Sequence, residues 1–232
     1  PAANHDIGTP PPPPYLPDVE TRIEACANPV IAAIHGTAQG GFFETAMGCH
    51  YRIADPTGAV GLPEVNLGLL PGACGTQRLP RLTGAAKALD IILSGKPVKA
   101  PAALEAGAID EVTDGGDLEA AAIAFAQAKI ASGPRRISEM PMPDTDPAVF
   151  DETRKRIAPK TRGLISPGKI IDAVELATKV SFGDGCAKER EFFVECMASP
   201  QSGGLRHAFF AERSVSKVPG IDKSTPVREL NK

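Results

Sequence analysis

The chain has 232 residues and a formal net charge of −3, with ordinary apolar and charged shares. That length supports a sizeable core, and the acidic balance argues against non-specific nucleic-acid binding, which needs a basic surface. No apolar run approaches a membrane span, and the start is proline-rich rather than basic then apolar, so neither a span nor a signal peptide is expected. The five cysteines, Cys26, Cys49, Cys74, Cys186 and Cys196, are odd in number and lack C-x-x-C spacing. They read as reduced thiols in an intracellular compartment, with no disulfide frame and no zinc site.

Residues 1–17 read as irregular, with the proline run at 9–14 extended. Asp18 is expected to cap a helix running through Val19, Ile23 and Ala27, with Glu20 and Glu24 on its polar side. Asn28-Pro29 ends it. The short apolar run Val30 to Ile34 reads as a buried strand. A glycine turn and a helix over 41–49 follow. Residues 51–54 and 59–62 read as short strands around the Asp55-Pro56 turn, and Leu67 to Gly75 as loop. Short helices are expected over 76–82, 84–94 and 100–106, a strand over 109–112, and a strong helix over 117–131. Gly133-Pro134 opens a turn-rich linker. Beyond it, 147–157, 167–181, 186–198 and 203–214 read as helices, the second opened by Ser166-Pro167 and the last weakened by Gly203-Gly204. The division is therefore a core over 1–132, a linker over 133–146, a helical region over 147–217 and a tail over 218–232. No internal repeat and no G-x-G-x-x-G fingerprint is present, so no dinucleotide is bound by that route.

The chemistry concentrates between His35 and Gly75. Glu44 follows Gly40-Gly41 just inside a helix start, where main-chain N–H groups can face a ligand. Glu64 follows Gly61-Leu62-Pro63. Alone, Glu44 would be a first-turn acid favouring the helix dipole and Glu64 a solvated loop acid. Their shared glycine-rich setting favours a ligand-binding place over either of these readings. His35, at a strand end before a glycine, reads as a hydrogen-bonded structural residue, and His50 and His207, which lack a partner pattern, as structural or surface residues. Cys74 lacks the His or Asp pattern of a nucleophile. The Phe192-Phe193 and Phe209-Phe210 pairs read as helix core or a docking face, and Arg154, Lys155, Arg156 and Lys160 as a solvated basic face.

Three stretches, NPVIAAIHGTAQGGFFETAMGCHYRIAD, GLPEVNLGLLPGACGTQRLPRL and LSGKPVKAPAALEAGAIDEV, resemble the crotonase superfamily of enoyl-CoA hydratases and isomerases. The wording GCHYRIA and the late LRHAFFAER helix resemble the hydratase part of bifunctional fatty-acid oxidation proteins. The resemblance implies an α/β fold, a crotonase-like ββα spiral core truncated at its start, with a helical C-terminal region. It implies an acyl-CoA thioester as substrate, with no metal and no redox cofactor. Carried across by position, Glu44 and Glu64 match the catalytic glutamates, Gly41 an oxyanion N–H donor, and Gly72 a loop glycine beside the water and acyl group. His5, in Asn4-His5-Asp6-Ile7, takes the place of the second oxyanion donor. Phe42 stands where a small glycine is usual and is expected to crowd the acyl pocket.

The activity so implied is hydration of trans-2-enoyl-CoA in β-oxidation. The alternatives are a Δ3,Δ2-enoyl-CoA isomerase in the same pocket and a non-catalytic acyl-CoA-binding or assembly module. A 3-hydroxyacyl-CoA dehydrogenase domain would follow in the full-length protein, and family members offer both homo-oligomeric and non-oligomeric precedents. The location implied is cytoplasmic in a bacterium, with the peroxisome open to a eukaryote.

Overall fold

The computed structural model describes residues 14–215. His5, most of the proline run and the tail lie outside them. In chain order come helix α1 (Leu16–Glu24), strands β1 (Ile31–Ile34) and β2 (Thr37–Gln39), helix α2 (Gly41–Gly48), and strands β3 (Tyr51–Ala54) and β4 (Ala59–Gly61). A 3-10 turn over Glu64–Leu67 follows. Next are helices α3 (Gly75–Thr83) and α4 (Ala85–Ser94), strand β5 (Val98–Lys99), helix α5 (Ala100–Glu105), strand β6 (Glu111–Val112) and helix α6 (Leu118–Lys129). The described residues end with α7 (Ala148–Ile157), α8 (Ser166–Ala177), α9 (Phe182–Ala198) and α10 (Pro200–Val215).

Each pass of the chain lays one strand on each of two small sheets. One sheet has the order β1-β3-β6 with both pairings parallel; the other is β2-β4-β5, parallel then antiparallel. Parallel neighbours require a crossover, and α2 supplies it between the β1–β2 and β3–β4 passes. The two-residue β5 is too short to carry a periodic signal in the sequence.

The expectation of a buried first strand is corrected. In β1 only Ile34 is buried and Ala33 is exposed, because β3 flanks one side and no strand flanks the other among the described residues. A cavity of about 720 Å³ lies between this strand and α6, lined in part by Val30, Ile31, Leu118 and Ile123.

The first helix departs from expectation in two ways. Asp18 lies inside its first turn, where it accepts from the Tyr15 N–H at 3.0 Å, and Tyr15 is the cap. Glu20 and Glu24 are buried, because both reach Arg78 on α3, at 2.6 and 3.2 Å. The backbone of α1 can come this close because Gly48 has no side chain: a Cβ there would sit 3.0 Å from the Glu20 Cβ.

Residues on both sides of 133–146 build one apolar core. Leu79, Leu89 and Ile92 pack with Ile170, Ile171 and Val174. The segment between is anchored by the fully buried Ile137 and by two bonds to Glu24, from Ser138 N–H at 2.8 Å and from Arg136 Nε at 3.0 Å. The helix α10 runs through Gly203-Gly204, and its Ser202 hydroxyl donates to the Leu67 carbonyl at 2.8 Å. On the charged face noted in the sequence, Arg154 pairs with Asp151, Asp172 and Glu175, and Arg156 with Asp90.

Arg52, like Arg78, is a buried cation. Its Nε donates to the Ala108 carbonyl at 3.2 Å, its Nη1 to the Cys49 carbonyl at 3.0 Å, and its Nη2 to Asp110 at 3.1 Å. It thereby ties the end of α2 to the segment entering β6. Burial lowers its pKa to about 10, against the pull of Asp110. Removing one member of such a pair strands the other. Arg52→Met is expected to cost about 3–5 kcal/mol of stability, measured by denaturant unfolding.

Candidate active site

The helix α2 starts at a glycine because its cap needs one. Gly40 has φ +59° and ψ −133°, a conformation that side chains rarely adopt. Its N–H donates to the Gly61 carbonyl at 2.9 Å, and its carbonyl takes the N–H groups of Phe43 and Glu44. Among the described residues no acceptor meets the Gly41 N–H, so it remains an open donor at a helix N-terminus. Phe42 is 77% exposed and lines a cavity of about 360 Å³ with Ile34, Ala38 and Thr45, on the side of β1 and β2.

Glu44 is buried one turn into the helix. Its Oε1 accepts from the Ala73 N–H at 2.8 Å and the Gly75 N–H at 3.0 Å. Glycine is required at position 75, since a Cβ would fall 2.6 Å from that oxygen. Glu64 opens the 3-10 turn and folds back onto the same glycine cap: a Cβ at Gly40 would lie 2.8 Å from its Oε1. Its Oε2 is buried and has no hydrogen-bond partner. Gly72 packs under the Phe193 ring, with room for no side chain.

Sequence reasoning missed a third acid. Glu189 on α9 is buried and accepts from Cys74 N–H at 2.6 Å, Thr76 N–H at 2.8 Å and the Thr76 hydroxyl at 2.5 Å. The available signal was an acid on the stripe that otherwise carries Cys186, Phe192 and Cys196, since an unpaired acid is rarely buried. The reading of all five cysteines as thiols is corrected as well. Cys74 is bonded to Cys186, 112 positions away, because α9 lies across the loop; Cys26, Cys49 and Cys196 are free. Of the histidines, His50 is fully buried, with its Nδ1 accepting from Val30 N–H at 2.8 Å and its Nε2 facing the Glu24 carbonyl at 3.1 Å. It is a structural residue, as expected.

Burial dominates the electrostatics. It pushes the Glu64 carboxyl up to about 8, with the Glu44 and Glu189 charges adding to the rise. Glu189 is pushed up to about 8 by burial and by Glu44, against its three donors. Burial raises Glu44 too, while the Ala73 and Gly75 N–H groups and Arg78 pull the other way. Donors favour the charged form of an acid. Glu44, with donors, is therefore the better seat for a charge, and Glu64, whose Oε2 has none, for a proton. The pair is suited to take a proton at one oxygen and release one at the other.

A family model described as enoyl-CoA hydratase/isomerase matches residues 14–158. The chain belongs to that family. It is 42% identical over 205 residues to the peroxisomal bifunctional enzyme of Homo sapiens, an alignment covering 86% of this chain and 28% of that protein. Across the first relatives matched, the chain spans 26–29% of their length. Among solved structures, an enoyl-CoA hydratase from Mycobacterium avium subsp. paratuberculosis K-10 superposes with TM-score 0.59 at 19% identity, over 85% of this chain and 68% of that one. A carnitinyl-CoA dehydratase from Mycobacterium avium 104 gives TM-score 0.53 at 28% identity, over 78% and 60%. The fold is thus the crotonase one, mixed α/β with a helical C-terminal region.

A carboxyl with a folded pKa of about 8 against an ordinary 4.5 keeps its proton in the folded state where the unfolded chain has lost it. Its contribution to stability is full below 4.5 and is lost as pH rises through about 8. Melting temperature is therefore expected to fall between pH 5 and pH 8.5. Glu64→Gln, which is permanently neutral, should flatten that slope and raise the melting temperature at pH 8 by about 2–4 °C. Calorimetric scans of both proteins across that range check this.

Proposed function

We propose that the chain hydrates trans-2-enoyl-CoA to 3-hydroxyacyl-CoA, as a step of fatty-acid β-oxidation. The observation that carries the reading is the unequal pair of acids beside one glycine cap: Glu44 buried and met by N–H donors, Glu64 half-buried with a bare buried oxygen. Family membership supports the substrate class.

Conjugate addition of water places negative charge on the thioester oxygen. The open Gly41 N–H, at the positive end of α2, suits that oxygen, and one such donor is worth roughly 3 kcal/mol in the transition state. The resemblance assigns the second donor to the His5 N–H. Glu44, charged, takes a proton from water as the water oxygen bonds to the β-carbon. The π electrons move toward the thioester, and Glu64 delivers its proton to the α-carbon. Glu44 ends protonated and Glu64 charged, and exchange with solvent resets them. The addition is redox-neutral, so the step itself needs no electron carrier.

One observation favours a second activity in the same pocket. The Glu64 Oε2 is unencumbered while the Glu44 Oε1 is held by two N–H groups, so Glu64 is the freer proton carrier for a double-bond shift. The human relative is named bifunctional and peroxisomal. We accordingly place the reaction in the peroxisome if the source is eukaryotic, with a 3-hydroxyacyl-CoA dehydrogenase domain consuming the product in the longer protein.

Glu44→Gln and Glu64→Gln are each expected to lower the hydration rate by about 10²–10⁴, with binding of a saturated acyl-CoA retained. Activity should decline above about pH 8, where Glu64 loses its proton. Full hydration by Glu44→Gln would refute the assignment. Double-bond shift surviving in Glu44→Ala and absent in Glu64→Ala would establish the isomerase activity.

A further inference from the structure

Four consecutive main-chain N–H groups are shared by two acids in alternation. Ala73 and Gly75 donate to Glu44 on α2. Cys74 and Thr76 donate to Glu189 on α9. The alternation has a backbone cause: Cys74 has φ +64°, the only positive φ at a non-glycine residue among the described residues. A left-handed residue in an otherwise right-handed turn curls successive N–H groups into a concavity that favours anions. Here two carboxyl groups sit in it from opposite sides.

We infer that Glu189 is a positioning residue for the reaction: by holding the Cys74 and Thr76 amides it fixes the Ala73 and Gly75 amides, and through them the Glu44 carboxylate. This rests on the reading of Glu44 as the proton acceptor. Peptide planarity links the two sets of donors. In the peptide joining Ala73 to Cys74, the N–H is held by Glu189 and the carbonyl accepts from Arg78 Nη1 at 3.1 Å. That plane cannot turn without breaking both bonds, and its orientation sets where the neighbouring N–H groups aim.

A residue that only satisfied the start of α3 would need one oxygen. Glu189 uses both, Oε1 on Cys74 and Oε2 on Thr76, which fixes a direction as well as a distance. The rest of its helix face serves the same loop. Cys186, three positions earlier, is bonded to Cys74, and Phe193, four positions later, lies on Gly72. The stripe 186–189–193 follows the spacing of one helix face, so α9 covers the loop from Gly72 to Thr76.

Glutamine cannot replace the acid here. It has one carbonyl oxygen, and its amide nitrogen would meet one of the two main-chain N–H groups donor to donor. Glu189 touches no reacting atom in this scheme, so its loss should act on turnover and leave substrate affinity alone.

The test measures hydration of but-2-enoyl-CoA by the purified chain, with sites counted by calorimetric binding of butanoyl-CoA. In Glu189→Gln, turnover per counted site is expected to fall about 10- to 100-fold with KM within about twofold. Thr76→Val takes one donor from Glu189 and leaves the acid in place; its turnover per site should fall severalfold at the same KM. If Glu189→Gln does not fold, Thr76→Val decides alone. Wild-type turnover per site in either variant, whatever the number of sites, would make Glu189 a folding support only and overturn the proposal. Glu44→Gln is run alongside. Should it retain wild-type hydration, or should the parent chain show none, the reading of Glu44 falls and this role with it. Should it abolish hydration while Glu189→Gln changes nothing, only the positioning role falls.

Discussion

Burying a carboxylate is costly unless donors meet it, and the fold meets this need with main chain. Segment 73–76 supplies the N–H groups, Cys74 supplies the left-handed turn that spreads them, and two helices bring acids to opposite sides. The rest of the arrangement follows. The glycine at 75 is there because Glu44 occupies the space a Cβ would take. Arg78 grows from the same helix start, caps the Ala73 carbonyl, and needs Glu20 and Glu24 around its own buried charge. Glu64, given no donor at Oε2, is left as the group that keeps a proton to about pH 8. The two central acids thus differ in main-chain hydrogen bonding and in exposure: Glu44 is buried, and Glu64 is half-buried with one oxygen shut away from water.

The C-terminal helices are part of this device. The helix α9 braces the loop that holds Glu44, and α10 closes on the turn that carries Glu64, where Ser202 bonds to the Leu67 carbonyl and its backbone approaches Gly68. Each acid therefore has a support from a part of the chain more than a hundred positions away.

Local signals carried much of this. The glycine cap, the helix over 41–48, the strands at 51–54 and 59–61 and the helix starts at Asp117 and Ser166 all stand near where residue chemistry put them. Apart from the cap of α1 and the very short β5, the main errors are non-local. Glu20 and Glu24 read as the polar side of their helix because nothing near them shows Arg78, which lies 58 and 54 positions on. The strand Ile31–Ile34 read as buried because an apolar run does not disclose how many neighbours its sheet provides. The Cys74–Cys186 bond and the Glu189 contacts join positions more than a hundred apart, and no spacing rule reaches that far. Glu44 and Glu64 were noticeable because their settings are local; their unequal hydrogen bonding was not.

Cys74 shows two demands colliding at one atom. The turn would be most relaxed with no side chain at this position, yet the tether to α9 needs a sulfur there. A glycine would ease the backbone and cut the link; an alanine would cut the link and leave the backbone strained. The site is thus caught between chain conformation and covalent chemistry, and few neutral routes of sequence drift lead away from it.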